Sequence, residues 1–476
     1  MTVRSSPGPW QRTKIVCTLG PATDAPGMLE ALVCSGMDVA RINMSHGTHG
    51  DHAARIELVR AASRALSQPI AILADLPGPK FRIGDLAGRS RKLEDRMIVC
   101  LAAEVQGPED LPVRVPALLN ALRKGEYVYL ADGSVELRVK AGAAGRVTCE
   151  VTAGGTVRSG SGINVPEAEL PGFVPTDEDR GHIAFAVSHE VDWIGVSFVQ
   201  SAADIERVRG SVQDARMPLL MAKIEKRRAL ADLDEIVETA DGVMVARGDL
   251  GVETDLAQIP LAQKRIIAAA NAKGRPVVTA TQMLESMVEH EHPTRAEVTD
   301  VANAVLDGTD AVMLSAESAV GRHPEAAVKI LQRVLAATEA QFAKPMAAAR
   351  LRGADSVAED QALAFAACHL AERLGAKAII AHVTERRLPA AIARFRPAVP
   401  IVAVCQSPAL WRRLAINAGV SPLLADTAEE RAHIDLARDW LFEAAFAGTG
   451  DRAVFVSAAT DEPGSADALR VTILHG

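Results

Sequence analysis

Aromatic side chains make up only 3% of this 476-residue chain, too few for a stripe of rings on which nucleobases stack. Positive charge is also short. Lys and Arg total 52 against 60 Asp and Glu, a net charge of −8, whereas a general nucleic-acid binder carries a basic excess. The six cysteines (Cys17, Cys34, Cys100, Cys149, Cys368 and Cys405) are scattered, with no CxxC pair. That pattern argues against a disulfide frame or a zinc site and for reduced, buried thiols in a cytoplasmic protein. No apolar run is long enough to cross a bilayer, so no membrane association is expected. Met1–Pro9 lacks the apolar core of a secretion signal. No internal repeat and no low-complexity tract is evident. A G-x-x-x-x-G-K-[ST] loop is absent too, which argues against a Walker-type nucleotide site.

What is present is ordinary for a globular enzyme: 48% hydrophobic and 24% charged residues, in a chain long enough for two or three domains. Buried-strand patterns at Lys14–Gly20, Val39–Asn43 and Ile70–Asp75 alternate with helical patterns that begin at Met28 and at His52. From about 85 to 170 the rhythm changes to short alternating runs, Met97–Leu101, Glu126–Leu130, Val135–Val139 and Arg146–Val151, which read as an all-β insertion. Strand–helix alternation then resumes with Trp193–Phe198, Leu219–Glu225, Gly242–Gly248, Pro276–Gln282 and Ala311–Glu317. Ser201-Ala-Ala-Asp204 and Thr294-Arg-Ala-Glu297 carry helix-start capping signals. Eight strands alternating with helices predict a (β/α)₈ TIM barrel interrupted after its third strand. Beyond about 345, strands at Ala378–Val383, Pro400–Cys405, Arg452–Ser457 and Arg470–Leu474, with helices near 358–374 and 431–446, predict a separate C-terminal α/β domain. The expected division is therefore 1–84 with 171–344 (barrel), 85–170 (inserted β domain) and 345–476, joined through Ala343-Lys-Pro-Met-Ala.

Polar residues recur at the C-terminal ends of the barrel strands: Arg41 and Asn43, Asp75, Ser197, Lys223 and Glu225, Asp249, Thr281, Glu317. One such residue reads as strand-end solvation. Seven strands ending this way read as an active-site rim. Period-two alternation puts Met221, Lys223 and Glu225 on one face, and Val243, Val245, Arg247 and Asp249 on one face of the next strand. Charges at the end of apolar strands are costly unless something polar sits between them. Glu225 and Asp249 are therefore expected to hold Mg²⁺ or Mn²⁺, with Lys223 facing the reacting group.

Six motifs stand in register: Ala40-Arg-Ile-Asn-Met-Ser-His-Gly47, Lys223-Ile-Glu225, Val245-Ala-Arg-Gly-Asp-Leu-Gly-Val252, Ala280-Thr-Gln-Met-Leu-Glu-Ser286, Pro293-Thr-Arg-Ala-Glu297 and Asp300-Val-Ala-Asn-Ala-Val-Leu-Asp-Gly308. In order and spacing they resemble pyruvate kinase, densely over the barrel and weakly in the insertion and after 345. The resemblance implies phosphoryl transfer from phosphoenolpyruvate to ADP, giving pyruvate and ATP, in a homotetramer. It implies Glu225 and Asp249 as Mg²⁺ ligands and Lys223 as the group stabilising the phosphoryl in flight and the enolate. Arg41 is then a phosphoryl contact. Thr281 and the Gly248 backbone hold the substrate carboxylate, with Thr281 near the site of enolate protonation. Asn43, Ser45, His46 and Arg82 fall on the nucleotide-binding side.

Three departures matter. Relatives that need K⁺ bind it through residues like Asn43, Ser45, Asp75 and the carbonyl of Leu76, and carry Glu five positions after the aspartate; Lys80 stands there in this chain. The pattern is similar to the branch that works without K⁺, an ammonium replacing the cation. Thr384-Glu-Arg-Arg-Leu-Pro-Ala390 lacks most hydroxyls and the glycine of the turn that cradles an effector phosphate in many relatives. Arg386 and Arg387 are expected to be solvated there, and fructose bisphosphate is not expected to act. Ala316 replaces the usual Gly. His46 with His49, and Glu289-His-Glu-His292, read as loop and helix-end polar groups rather than metal sites. Two other readings remain open: a Mg²⁺-dependent aldolase or mutase acting on pyruvate or phosphoenolpyruvate, and a non-catalytic homologue that binds a metabolite.

Overall fold

A computed structural model describes the chain except residues 1–10, 114, 132, 144, 169–173, 213, 215, 343–358 and 458–467. The expected join at Ala343 and the Met1–Pro9 reading lie outside the described residues. Eight parallel strands close into a barrel: Lys14–Thr18, Met37–Asn43, Ala71–Asp75, Trp193–Val196, Leu219–Ile224, Gly242–Ala246, Val277–Ala280 and Ala311–Leu314. Each pairs with its sequence neighbours, and the eighth with the first. The strands are apolar on both faces because both are covered. Val16, Val39, Leu73, Trp193, Met221, Met244, Val278 and Met313 fill the interior. Ile15, Ile42, Ile72, Ile194, Ile224 and Val245 pack outward against the helices. The Thr294 cap is in place: Glu297 N–H donates to Thr294 Oγ1 at 3.3 Å, and Thr294 N–H donates to Glu297 Oε2 at 2.7 Å. Among the described residues no helix is long and apolar enough to cross a membrane.

Between the third and fourth barrel strands lies a separate β unit with its own core of Val99, Leu101, Val128, Leu130, Val139 and Val151. Its six-stranded sheet runs in the order Ile163–Asn164, Tyr127–Leu130, Val135–Ala143, Arg146–Ala153, Ile98–Ala102, Asp110–Pro112. The C-terminal sheet runs Val420–Leu424, Ile401–Cys405, Ala378–His382, Arg452–Ser457, Ala468–Ile473, the last strand antiparallel. The strand Val420–Leu424, which contains Pro422, was not expected from the sequence. It lies at the sheet edge, where a missing N–H does no harm.

The barrel floor shows a pattern that no sequence repeat announces. Asp38, Asp192, Asp241 and Asp310 stand at or just before the even-numbered strands. Each accepts, through Oδ2, the backbone N–H at the start of the preceding strand: Ile15, Ile72, Leu220 and Val277, at 2.9–3.0 Å. Three of them also meet an arginine of the C-terminal unit. Arg412 Nε donates to Asp192 at 2.9 Å, Arg396 to Asp310 at 2.8 Å, and Arg386 to Asp241. The expectation that Arg386 is solvated is thus corrected: its side chain is largely buried in that pair, and only Arg387 is exposed. Between these clasps Ala415 and Ile416 enter the barrel's inner core from below.

Candidate active site

The fifth strand alternates as expected. Met221 faces the barrel interior, and Lys223 follows it one layer higher. The Lys223 ammonium donates to Ser197 Oγ at 2.6 Å and lies 2.9 Å from Asp75 Oδ1 and 2.8 Å from Glu225 Oε1. The Ser197 hydroxyl in turn donates to the Leu76 carbonyl at 2.7 Å. On the far side of Asp75, Arg41 donates from Nε to Oδ2 at 2.7 Å and from its terminal nitrogen to Thr18 Oγ1 at 2.9 Å. Glu225 Oε2 accepts the Phe198 N–H at 2.7 Å. Arg41, Asp75, Ser197, Lys223 and Glu225 thus form one buried cluster.

The sixth strand departs from expectation. It ends at Ala246, and a helix, Arg247–Glu253, begins at once. Val243 and Val245 pack outward while Met244 faces the interior. Continued alternation would have sent Asp249 away from the rim, so the shared-face argument for Arg247 and Asp249 fails. The helical turn brings Asp249 back to where its charge acts on Glu225. The seventh strand ends similarly early, at Ala280. Thr281 and Gln282 are both left-handed (φ 67° and 55°), a conformation that costs about 1–3 kcal/mol each for residues with a Cβ. Arg247 holds this corner. Its guanidinium donates to the carbonyls of Ala280, Thr281 and Gln282 and pairs with Asp300. Thr281 Oγ1 then accepts the Gly248 N–H at 2.9 Å.

Burial pushes Glu225's carboxyl above the usual carboxylate range, and the charge of Asp249 adds to this against the pull of Lys223. Burial also opposes charge on Asp75, but Lys223 and Arg41 more than offset it and hold that carboxyl low. Burial alone would depress the Lys223 ammonium; Asp75 and Glu225 raise it instead. Glu225 Oε1 and Asp75 Oδ1 are buried without a partner in hydrogen-bond geometry, although both lie at ion-pair distance from Lys223. Glu225, whose buried oxygen meets only the Lys223 ammonium, and Asp249, close enough for its charge to act on Glu225, are hard oxygen donors of the kind that fit a divalent cation. Among the described residues no three His, Cys, Asp or Glu side chains gather as a metal site.

The remaining expected residues are spread along the rim. Asn43 Oδ1 accepts the Ser45 N–H at 3.2 Å. His46 is exposed, and His49 contacts His182 (2.9 Å) rather than His46. Lys80 is exposed and, among the described residues, has no side-chain partner. Arg82 donates to Gly160 O at 2.8 Å, across to the inserted unit. Neither is drawn into the Asp75 cluster. Glu317 ties loops together, accepting from Leu284 and Ser315 N–H, and Ala316 sits exposed at the start of its helix. Sequence reading missed the work of Arg247, Lys226 and Glu253. The last two form a 2.6 Å ion pair beside a cleft of ≈ 1060 Å³ between rim and inserted unit.

A closed parallel barrel whose strand ends combine fixed cations with carboxylates, under an inserted β unit, defines a (β/α)₈-barrel enzyme. Comparison with known proteins narrows the class. Residues 10–328 match the model of the pyruvate kinase barrel domain, and 361–472 that of the pyruvate kinase alpha/beta domain. The chain is 40% identical to pyruvate kinase of Methylorubrum extorquens over 98% of both chains. It is 37% identical to that of Geobacillus stearothermophilus, over 98% of this chain and 80% of the relative. The crystal structure of a pyruvate kinase from Cryptosporidium parvum superposes with a TM-score of 0.92 at 32% identity, covering 98% and 96% of the two chains. The chain belongs to the pyruvate kinase family and is a phosphotransferase of that family.

Proposed function

We propose that this enzyme transfers the phosphoryl group of phosphoenolpyruvate to ADP, yielding pyruvate and ATP, with Lys223, Arg41 and Thr281 as its catalytic residues. The observation that carries this reading is the Lys223 ammonium, held between Asp75, Glu225 and Ser197 at the barrel rim. Phosphoryl transfer depends on placement and on positive charge around the moving oxygens more than on covalent chemistry. Lys223 and Arg41 supply that charge from fixed positions. Thr281 and the Gly248 N–H orient the substrate carboxylate, and Thr281 stands near the carbon that takes up the proton. Asn43, Ser45, His46 and Arg82 bind the nucleotide. Glu225 and Asp249 would hold Mg²⁺ or Mn²⁺, which when bound neutralises phosphoryl oxygens.

The proposed division is 1–84 with 171–344, 85–170 and 345–476, in a cytoplasmic homotetramer. The central test supplies phosphoenolpyruvate, ADP and Mg²⁺ and follows pyruvate and ATP. Wild type should form both, and Lys223→Met should abolish them. No consumption of phosphoenolpyruvate by wild type would favour a metabolite-binding homologue, and its conversion without pyruvate or ATP a mutase-like reaction.

Two finer expectations accompany this reading. Activity should not need K⁺, with Lys80 substituting; a rise of about tenfold on adding K⁺ to a K⁺-free assay, about 1.4 kcal/mol of barrier, would contradict it. Fructose bisphosphate should not bind the 384–390 turn, since Arg386 is already engaged by Asp241. Micromolar binding by calorimetry that vanishes in Arg386→Ala would overturn this.

A further inference from the structure

The segment that carries Asn43, Ser45 and His46 runs through Gly47 and Thr48 straight into the helix His49–Leu66. Thr48 fastens the two together. Its N–H donates to Asp51 Oδ2 at 2.9 Å, and its Oγ1 accepts the Asp51 N–H at 3.2 Å. Whatever seats the first turn of this helix therefore also places the segment before it.

That turn rests on the helix Asp177–Ser188 through histidines gathered around one ring. His49 stacks on Phe185 with ring centres 4.5 Å apart, His189 stacks on it at 4.1 Å, and His52 stands at a steep angle to it, 6.4 Å away. His49 and His52 are three residues apart, as are His182 and Phe185, so each pair shares one helix face. His52 is 1% exposed, and among the described residues neither of its ring nitrogens has a hydrogen-bond partner. Gly47, at φ 85°, lies against it: a Cβ there would stand 3.4 Å from His52 Cε1.

A hydrogen bond between two imidazoles joins the helices, His49 Nε2 to His182 Nδ1 at 2.9 Å. Such a bond needs one nitrogen with a proton and one without. His182 Nε2 lies 3.7 Å from the Glu178 carboxylate, which favours the proton on that nitrogen. Nδ1 is then the bare acceptor and His49 Nε2 the donor. A first added proton enters at His49 Nδ1 and leaves the bond intact. A second must enter at His182 Nδ1, and two N–H groups then face each other. The charges around the pair are Asp51, His52 and Arg55 from the helix of His49, with Arg55 paired to Asp24, and Glu178 and Asp179 from the other helix. Asp179 already accepts the Gly78 and Thr176 N–H groups. Burial, then the charge of His49, hold His182 below the ordinary histidine value against the pull of Glu178 and Asp179. Burial, then Arg55, His182 and His49, hold His52 low as well, with Asp51 opposing. The bond is thus present at neutral pH and lost in mild acid.

We propose that His49 and His182 are positioning residues for the nucleotide: their bond holds the first helical turn, and through it residues 43–48, in the form that receives ADP, and protonation of both rings releases it. The inference deepens, and rests on, the nucleotide role given above to Asn43, Ser45 and His46.

The test uses the full-length enzyme at about pH 7.5 and about pH 5.5, on either side of the histidine range. It reads kcat, the KM for each substrate, and the Kd for ADP with Mg²⁺ by calorimetry. In His182→Asn the amide oxygen stands where Nδ1 stood and accepts from His49 in either of its protonation states. Phosphate groups titrate at about pH 6 themselves, equally for every variant, so the quantity read is the ratio between enzymes. Wild type and His182→Asn should agree at the higher pH. At the lower, wild type should bind ADP roughly fivefold more weakly than the variant, the factor an ordinary hydrogen bond is worth, with equal KM for phosphoenolpyruvate. His182→Ala, lacking the acceptor, should show the weakened ADP binding at both. Equal ADP affinity of wild type and His182→Asn in acid, or a His182→Ala loss shared by phosphoenolpyruvate, would overturn the proposal. Should His182→Ala not fold, His49→Gln takes its place: its amide can donate or accept at the same point, so its ADP affinity must be as insensitive to acid as that of His182→Asn. Inactive wild type that binds ADP counts against the reaction proposed above, while the affinity ratio still decides the histidine pair. Wild type that binds no ADP removes the nucleotide role and this inference with it.

Discussion

Lys223 and Glu225 were legible because a two-residue period is all that is needed to put them side by side. Asp249 was legible by residue type but for a mistaken reason. The strand that was to carry it ends three residues earlier, and a helical turn does the work. Arg247 shows what a sequence hides at this scale. It stands within a recognisable motif, yet its task is to bridge three carbonyls on the neighbouring strand end. A lysine keeps the charge but cannot reach several acceptors from a planar fork. Arg247→Lys should therefore fold, as judged by circular dichroism, yet lose about a hundredfold in kcat, the scale of loss when a reacting group shifts by about 1 Å. An unchanged pyruvate-formation rate would mean that the left-handed Thr281 corner holds without it.

At the level of elements, most barrel strands were placed to within a few residues, because covered parallel strands are apolar along their whole length. The edge strand at 420–424 was not read from the sequence, and Lys80, read as standing in for K⁺, and Arg82, read as a nucleotide contact, are not drawn into the Asp75 cluster. Packing between a strand end and a helix is equally invisible in sequence. His382, closing the strand Ala378–His382, stacks on His433 of the helix Glu430–Glu443, with ring centres 4.6 Å apart. His433 donates from Nε2 to the Thr427 carbonyl at 2.6 Å. Burial, then the charge of His433, hold His382 below the ordinary histidine value, with Glu430 pulling weakly the other way. A histidine depressed in the folded state favours folding in its neutral form. That contribution is full above the unfolded value of about 6.5 and is lost as pH falls through the folded value. The melting temperature should thus decline from pH 7 to pH 5, and His382→Asn should flatten the slope. Equal slopes in differential scanning fluorimetry would exclude His382 as the source.

Over the whole molecule, the order of units was readable from changes in rhythm, whereas their mutual contacts were not. Arg386, Arg396 and Arg412 advertise charge in the sequence but not their partners, which lie 86 to 220 residues away. The same holds for Ile416, an ordinary apolar residue that turns out to seal the barrel from below. Ile416→Ala should cost about 2–5 kcal/mol, read from urea unfolding followed by tryptophan fluorescence, with Trp193 in the barrel reporting alongside Trp411 and Trp440. A shift confined to the C-terminal tryptophans would show that the seal does not stabilise the barrel.

That seal has a consequence for the order of manufacture. All eight barrel staves leave the ribosome before Ile416 does, so the nascent protein carries an uncovered greasy base until that residue has emerged. Premature termination ahead of the trailing unit would then yield a fragment prone to clump with its siblings, and the cell's quality control would meet it as waste.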